Sequence, residues 1–259
     1  MDLGLSGRKA IICASSRGLG KACAAALARE GVDVVINGRD VERLEIAAKE
    51  ISRTAKGAVT PVAADINTAE GRAKLISACP QADILVNNNE GPPPGAFQQW
   101  DETQWQAALD ANLLAPVFMI KALIEGMKQR RFGRIVNITS AMVKAPRSPM
   151  GLSTAARSGL TAICKGLSVD AAPFNVTINN MLPERFDTDR QKQMAELAMA
   201  FKKITYEEAR AEIAQSIAAK RMGDPAEFGD ACAFLCSAQA GFISGQNLQL
   251  DGGSYPGLI

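Results

Sequence analysis

The feature that most constrains this chain is an alternation sustained from one end to the other. Seven short apolar runs, rich in Val and Ile, occupy residues 9–14, 32–37, 58–64, 82–88, 133–139, 175–182 and 247–251. Between them lie amphipathic segments of helical period, among them 20–30, 41–53 and 102–129. Strands separated by helices of this length need crossover connections, which are right-handed and build a parallel sheet covered on both faces. No linker, repeat or low-complexity segment breaks the alternation over 259 residues, so one domain, 1–259, is expected. Two stretches stand apart. GPPPG at 91–95 reads as a rigid loop after the fourth strand, and 184–222 as a long polar-helical excursion before the last. An excursion of that size in a compact domain commonly forms a lid over substrate.

Charge and composition exclude several classes. The net charge is +2, from 29 basic and 27 acidic residues, which argues against nucleic acid as a partner. The densest basic cluster, 128–134, closes a helical pattern, where cations suit the carbonyl end of the dipole. Cys13, Cys23, Cys79, Cys164, Cys232 and Cys236 form no CxxC pair and lie mostly in apolar runs. They read as buried reduced thiols, and so imply a reducing, cytoplasmic setting. The first residues lack a signal-peptide layout, and no apolar stretch is expected to reach membrane-spanning length. Histidine is absent, which excludes Ser-His-Asp hydrolysis and histidine-ligated metal. No metal site is expected.

The first run leads directly into CASSRGLG, residues 13–20, and then a helix. Gly18 and Gly20 allow close approach of the backbone to a pyrophosphate facing the helix N-terminus. Glycine is also what any tight strand-to-helix turn needs. Its place on the first βα turn of an alternating chain favours the phosphate site.

The segment resembles the phosphate loop TGxxxGxG of the short-chain dehydrogenase/reductase family, with Ala14 at its first glycine. The likeness continues along the chain and is closest in kind to the 3-oxoacyl-ACP reductase type. Asp65 and Ile66 match the adenine-contacting pair after strand three, and NNNEG (87–91), with Asn88, resembles the NNAG segment. Asn112 stands at the helix-kinking, proton-relay asparagine, and Ser140 at the catalytic serine. LPERFDT places Pro183 and Thr188 in the carboxamide-binding segment, and DGG (251–253) matches the C-terminal signature. The resemblance implies a doubly wound α/β Rossmann fold with strand order 3-2-1-4-5-6-7. It also implies dinucleotide contacts from Ala14, Ser16, Arg17, Gly18, Leu19 and Gly20, and assembly as a homotetramer through the helices after strands four and five.

The choice of dinucleotide can be read from the end of strand two. An acidic residue there hydrogen-bonds the ribose of NAD. This chain has Asn37, Gly38 and Arg39 instead. Without a carboxylate a 2′-phosphate meets no repulsion, and Arg39, with Arg17, can pair with it. NADP is therefore expected over NAD. Arg39 could alternatively serve only to cap the turn before residue 41.

The family pattern breaks at its centre. Thirteen residues beyond Ser140, where the family carries its proton-donating tyrosine, stands Ser153. Four further on, Arg157 replaces the lysine. A phenol has a reference pKa near 10, whereas a serine hydroxyl is a far weaker acid and reaches roughly 4 Å less far. Arginine keeps the charge and can bind ribose hydroxyls, but gives up no proton usefully. Glu90 and Glu184 occupy glycine positions of the family pattern. Each is a candidate donor if burial raised its pKa, or else a solvated loop residue. Tyr206, in the lid segment, could close over substrate or simply pack a helix. These residues point to an NADP(H)-dependent oxidoreductase acting on a small carbonyl or alcohol, with Asn112, Ser140, Ser153 and Arg157 as its catalytic set. The alternative is a silent dinucleotide-binding protein.

Overall fold

Residues 2–258 are described by the structure, a computed structural model. Seven parallel strands form one sheet: β1 (Lys9–Ile12), β2 (Asp33–Gly38), β3 (Val59–Ala63), β4 (Ile84–Asn87), β5 (Gly133–Ile138), β6 (Val176–Pro183) and β7 (Asn247–Leu250). Their order is β3-β2-β1-β4-β5-β6-β7, the expected doubly wound arrangement. The central strands are buried on both faces, and apolar residues dominate them even where β5 and β6 carry Arg134, Asn137, Asn179 and Asn180. Within them the two-residue period still sorts the side chains. Ile12 and Ile36 enter one core, with Leu27 of α1 (Gly18–Arg29), Leu44 of α2 (Val41–Ser52) and Phe228 of α9 (Pro225–Cys236). Ile11 and Val35 enter the other, with Leu75 of α3 (Ala69–Ala78), Met119 of α5 (Ala115–Arg130) and Leu160 of α6 (Gly151–Ala171).

The helix expected over 102–129 is not one regular helix. It begins as α4 (Glu102–Leu109), entered through a capping box between Asp101 and Gln104. It then widens into a π turn at Asp110–Leu114 before α5. A π turn inserts one residue into the hydrogen-bond ladder and frequently marks a functional position. Asn112 lies in it. The segment also corrects an expectation: the run Glu102–Arg130 is long and apolar enough to cross a membrane by length and composition. Part of that face is covered by the fold, with Met119, Ile120, Leu123 and Met127 buried in the core.

The excursion 184–222 resolves into two helices, α7 (Asp189–Lys202) and α8 (Tyr206–Gln215), packed on each other. Its base is tied down. Phe186 pairs with Gly223 in an isolated parallel bridge and meets Phe228 edge-on at 5.2 Å, and Arg210 grips Asp187 with two hydrogen bonds of 3.1 and 2.8 Å. The basic cluster ends in two different environments. Arg131 turns the chain out of α5 with φ 53°, while Arg134 is fully buried and donates to the Ser237 and Asn175 carbonyls. The DGG segment is a turn, in which the Asp251 carboxylate accepts from the Gly253 and Tyr255 amides.

Candidate active site

The strands end, at their C-terminal edge, in a cavity of about 800 Å³ beneath α7 and α8. It lies at the switch point between β1 and β4, where open α/β sheets bind ligands. Every expected dinucleotide-contacting residue except Gly20 lines it, as do Ser140, Ser153 and Arg157. Gly20 and Asn112 stand behind its wall.

The phosphate loop is built by close approach. Beyond Ile12 the chain turns at Ala14 with φ 44° and again at Gly18 with φ 57°. A methyl group on Gly20 would lie 2.5 Å from the Ala14 carbonyl oxygen and 2.8 Å from Asn88 Nδ2, so only glycine fits. Asn88 Nδ2 donates to that same carbonyl at 3.0 Å. Asn37, expected as a cofactor contact, is also the strut that fixes the loop. Its Oδ1 accepts from the Ala14 amide, and its Nδ2 donates to the carbonyls of Val62 and Ala64. Ser15, which the sequence did not single out, is buried and completes this strut, accepting from the Asn37 amide and donating to the Ile12 carbonyl. Helix α1 starts here with no side-chain cap and no acid in its first turn, in contrast to α2, α3, α4, α8 and α9. Its free amides and positive dipole end suit an anion.

Three charges converge at the outer end of the cleft. The Glu90 carboxylate accepts from Arg17 Nη2 at 3.3 Å and from Arg39 Nη2 at 3.1 Å. The two arginines expected to meet a 2′-phosphate are thus gathered around one anion. The turn before α2 is capped instead by Asp40, which accepts from the Arg43 amide. Arg43 lines the cleft as a third cation that sequence spacing gave no reason to choose. Ile66 is buried beside Asp65, whose carboxylate accepts from the Asn67 amide.

The inner end is organised by Arg157. Its Nη1 donates to the carbonyls of Ile138 and Thr139 at 2.7 and 3.0 Å, where β5 ends. Its Nε donates to Ser153 Oγ at 3.1 Å, one helical turn away on α6. Burial lowers its pKa to about 10, and the nearby charge of Arg190 acts in the same direction. Ser140 accepts from the Met142 amide. Asn112 donates to the Glu90 carbonyl at 3.3 Å, and its Oδ1 is a buried acceptor with no partner among the described residues. Thr188 begins α7 without using its hydroxyl as a cap. Glu184 is ion-paired with Arg147 at 3.2 Å and Arg185 at 3.4 Å, and it is Arg185, with φ 60°, that adopts the left-handed turn there. The carboxylates of Glu90 and Glu184, both considered as proton donors, are each held between two guanidiniums as counter-ions. Tyr206 lies in the first turn of α8 under Arg210 and does not line the cavity.

The family model described as enoyl-(acyl carrier protein) reductase matches residues 13–255. The chain belongs to the short-chain dehydrogenase/reductase family. It is similar to the NADPH-dependent reductase BacG of Bacillus subtilis, with 33% identity, covering 98% of this chain and 100% of the relative. It is similar also to the 3-oxoacyl-[acyl-carrier-protein] reductase FabG of Vibrio harveyi, with 28% identity over 98% and 99% of the two chains. The crystal structure of L-sorbose reductase from Gluconobacter frateurii, complexed with NADPH and L-sorbose, superposes with a TM-score of 0.93 at 28% identity, and both chains are fully covered. The cavity at the C-terminal edge of the sheet thus belongs to a short-chain dehydrogenase/reductase chain, and Ser153 and Arg157 line it.

Proposed function

We propose that this chain is an NADP(H)-dependent oxidoreductase acting on a small carbonyl or alcohol, with a serine–arginine pair where its family uses tyrosine and lysine. The observation that carries this reading is the state of that pair. Arg157 and Ser153 are hydrogen-bonded to each other, locked onto the end of β5 and open to the cavity. The cofactor fits the residues present: the uncapped start of α1 and the close packing at Gly20 make a pyrophosphate cradle, and Arg17, Arg39 and Arg43 surround the 2′-phosphate position. Asp65 and Ile66 would flank the adenine, and Pro183 and Thr188 the carboxamide. Bound in this way, the nicotinamide supplies or accepts the hydride.

The remaining chemistry belongs to the side chains. Ser153 Oγ receives a hydrogen bond from a cation, which strengthens its own O–H as a donor. Together with the Ser140 hydroxyl it can stabilise the oxygen on which negative charge develops. Arg157, itself buried, adds a fixed positive field at the cavity wall. No phenol stands at this end, so the proton comes from water entering the cleft. The missing phenol also favours a second reading, in which the chain binds NADP(H) without turning it over.

Exposed apolar side chains support assembly as a homotetramer. Phe118 on α5, Ile163 and Val169 on α6, Phe234 on α9, Leu248 on β7, and Phe242 are exposed large apolar side chains. Dihedral symmetry would bury such side chains in isologous contacts between copies. All six cysteines are free and buried, in keeping with the reducing environment of a cytoplasm. The test is NADPH oxidation across a carbonyl panel, read beside NADPH binding by tryptophan fluorescence. Binding with turnover supports the enzyme, and binding without any turnover supports the silent protein.

A further inference from the structure

The inner half of the cavity carries positive charge that the protein leaves unmatched. Arg147 and Arg185 share Glu184, and Lys202 pairs with Glu212. Arg157 and Arg190 have no carboxylate partner among the described residues. Arg157 is spent on two carbonyls and Ser153, and its Nη2 faces Gly91 without a hydrogen bond to any described residue. Arg190, in the first turn of α7, donates once, to the Pro92 carbonyl at 3.2 Å, which links the lid to the loop after β4. Both guanidiniums line the cavity, and they repel each other. An uncompensated pair of like charges in a half-closed site costs stability, so its retention calls for an anion supplied from outside. The proposed dinucleotide placement puts its phosphates at the start of α1 and at Arg39, and its nicotinamide ribose, beside Arg157, offers only hydroxyls.

We propose that the substrate is an organic anion, a carbonyl compound bearing a carboxylate that the planar fork of Arg190 binds and the unmatched charge of Arg157 draws inward. This names the substrate class of the oxidoreductase reading and rests on it. Arg190 is the specificity-determining residue. Its donors match a carboxylate in bidentate geometry, which a lysine ammonium imitates only as a point charge. Because Arg190 also holds the lid to Pro92, an anion on its free donors would bind with the lid closed over the reacting carbonyl.

The experiment compares short α-keto and β-keto acids with their methyl esters as substrates of the NADPH-loaded protein. The acids should exceed the esters in kcat/KM by roughly tenfold to a hundredfold, the range of one charge-assisted bidentate contact. Arg190→Gln should collapse that ratio towards one, mainly through KM, and Arg190→Lys should restore part of it. In parallel, succinate is titrated into the NADPH complex and followed by cofactor fluorescence, which needs no turnover. Saturable succinate binding lost in Arg190→Gln supports the anion site even if no substrate is reduced, in which case only the oxidoreductase reading falls. Equal reduction of acids and esters, with a ratio unmoved by Arg190→Gln, overturns the proposal and leaves the oxidoreductase reading standing. Absence of succinate binding at millimolar concentration also counts against it.

Discussion

Glu90 sits between Arg17 and Arg39, the two arginines proposed to take the 2′-phosphate of NADP(H), and replacing it by glutamine should tighten NADPH binding. In the structure its two carboxylate oxygens occupy Arg17 and Arg39. An incoming phosphate must share those cations with a resident anion and tolerate its charge. The side chains of Glu90, Arg17 and Arg39 are 58%, 40% and 64% exposed, so each ion pair contributes at most about 1 kcal/mol. Removing both pairs, and the residual repulsion, should therefore gain about 1 kcal/mol for NADPH, a three- to tenfold drop in Kd. NADH, without the phosphate, should change little. The gain should shrink with added salt, because exposed charges are screened over about 10 Å at 0.1 M. Titration of wild type and Glu90→Gln with both cofactors, by tryptophan fluorescence at low and high salt, reads the effect. Weaker NADPH binding in the variant, or equal tightening of NADH, would refute the competition and make Glu90 an organiser of the two arginines.

Further outcomes follow from the same contacts. Arg39→Ala should weaken NADPH by at least about tenfold while sparing NADH, and equal losses in parallel titrations would remove its phosphate role. Gly20→Ala should lower Tm and abolish saturable NADPH binding, because the added methyl collides with the Ala14 carbonyl; unchanged titrations would contradict the cradle. Arg157→Ala leaves the Ile138 and Thr139 carbonyls and Ser153 without their donor, and should cost about 1–3 kcal/mol in urea unfolding, whereas Ser153→Ala should cost much less. Burial raises the Cys13 and Cys164 thiols to about 12 from an ordinary value of 9.0. The unfolded chain then loses these protons first, so stability is intact below pH 9 and declines as pH climbs towards 12. Urea midpoints that stay flat over that window would show the thiols to be ionised, and so exposed, in the native state.

The fold was legible because its signal is repeated. Each central parallel strand had to be largely apolar on both faces and each crossover helix on one, and one register satisfies them all. The π turn at Asp110–Leu114 was hidden, since an inserted residue leaves the apolar pattern of 102–129 almost unchanged. The phosphate loop could be read from glycine because a missing Cβ is a local requirement. The ion pairs of Glu90 with Arg17 and Arg39, and of Glu184 with Arg147, could not, since each joins residues from separate parts of the chain that only the folded sheet edge brings together. Arg43 and Arg190 were missed for the same reason. One arginine in a helix looks like any other until the cavity it faces exists.

The proposed function is hydride transfer beside Ser153 and Arg157, the residues proposed at the family's tyrosine and lysine positions. The most direct measurement uses NADPH deuterated at the reactive face of C4, incubated with the protein and a panel of keto acids and ketones, with products analysed by mass spectrometry. Deuterium is expected at the carbinol carbon of at least one product, lost in Arg157→Ala and raised on simple ketones in the Ser153→Tyr, Arg157→Lys double variant. NADPH that binds saturably to wild type and to the double variant, yet delivers deuterium to no carbonyl in either, would contradict the proposed function.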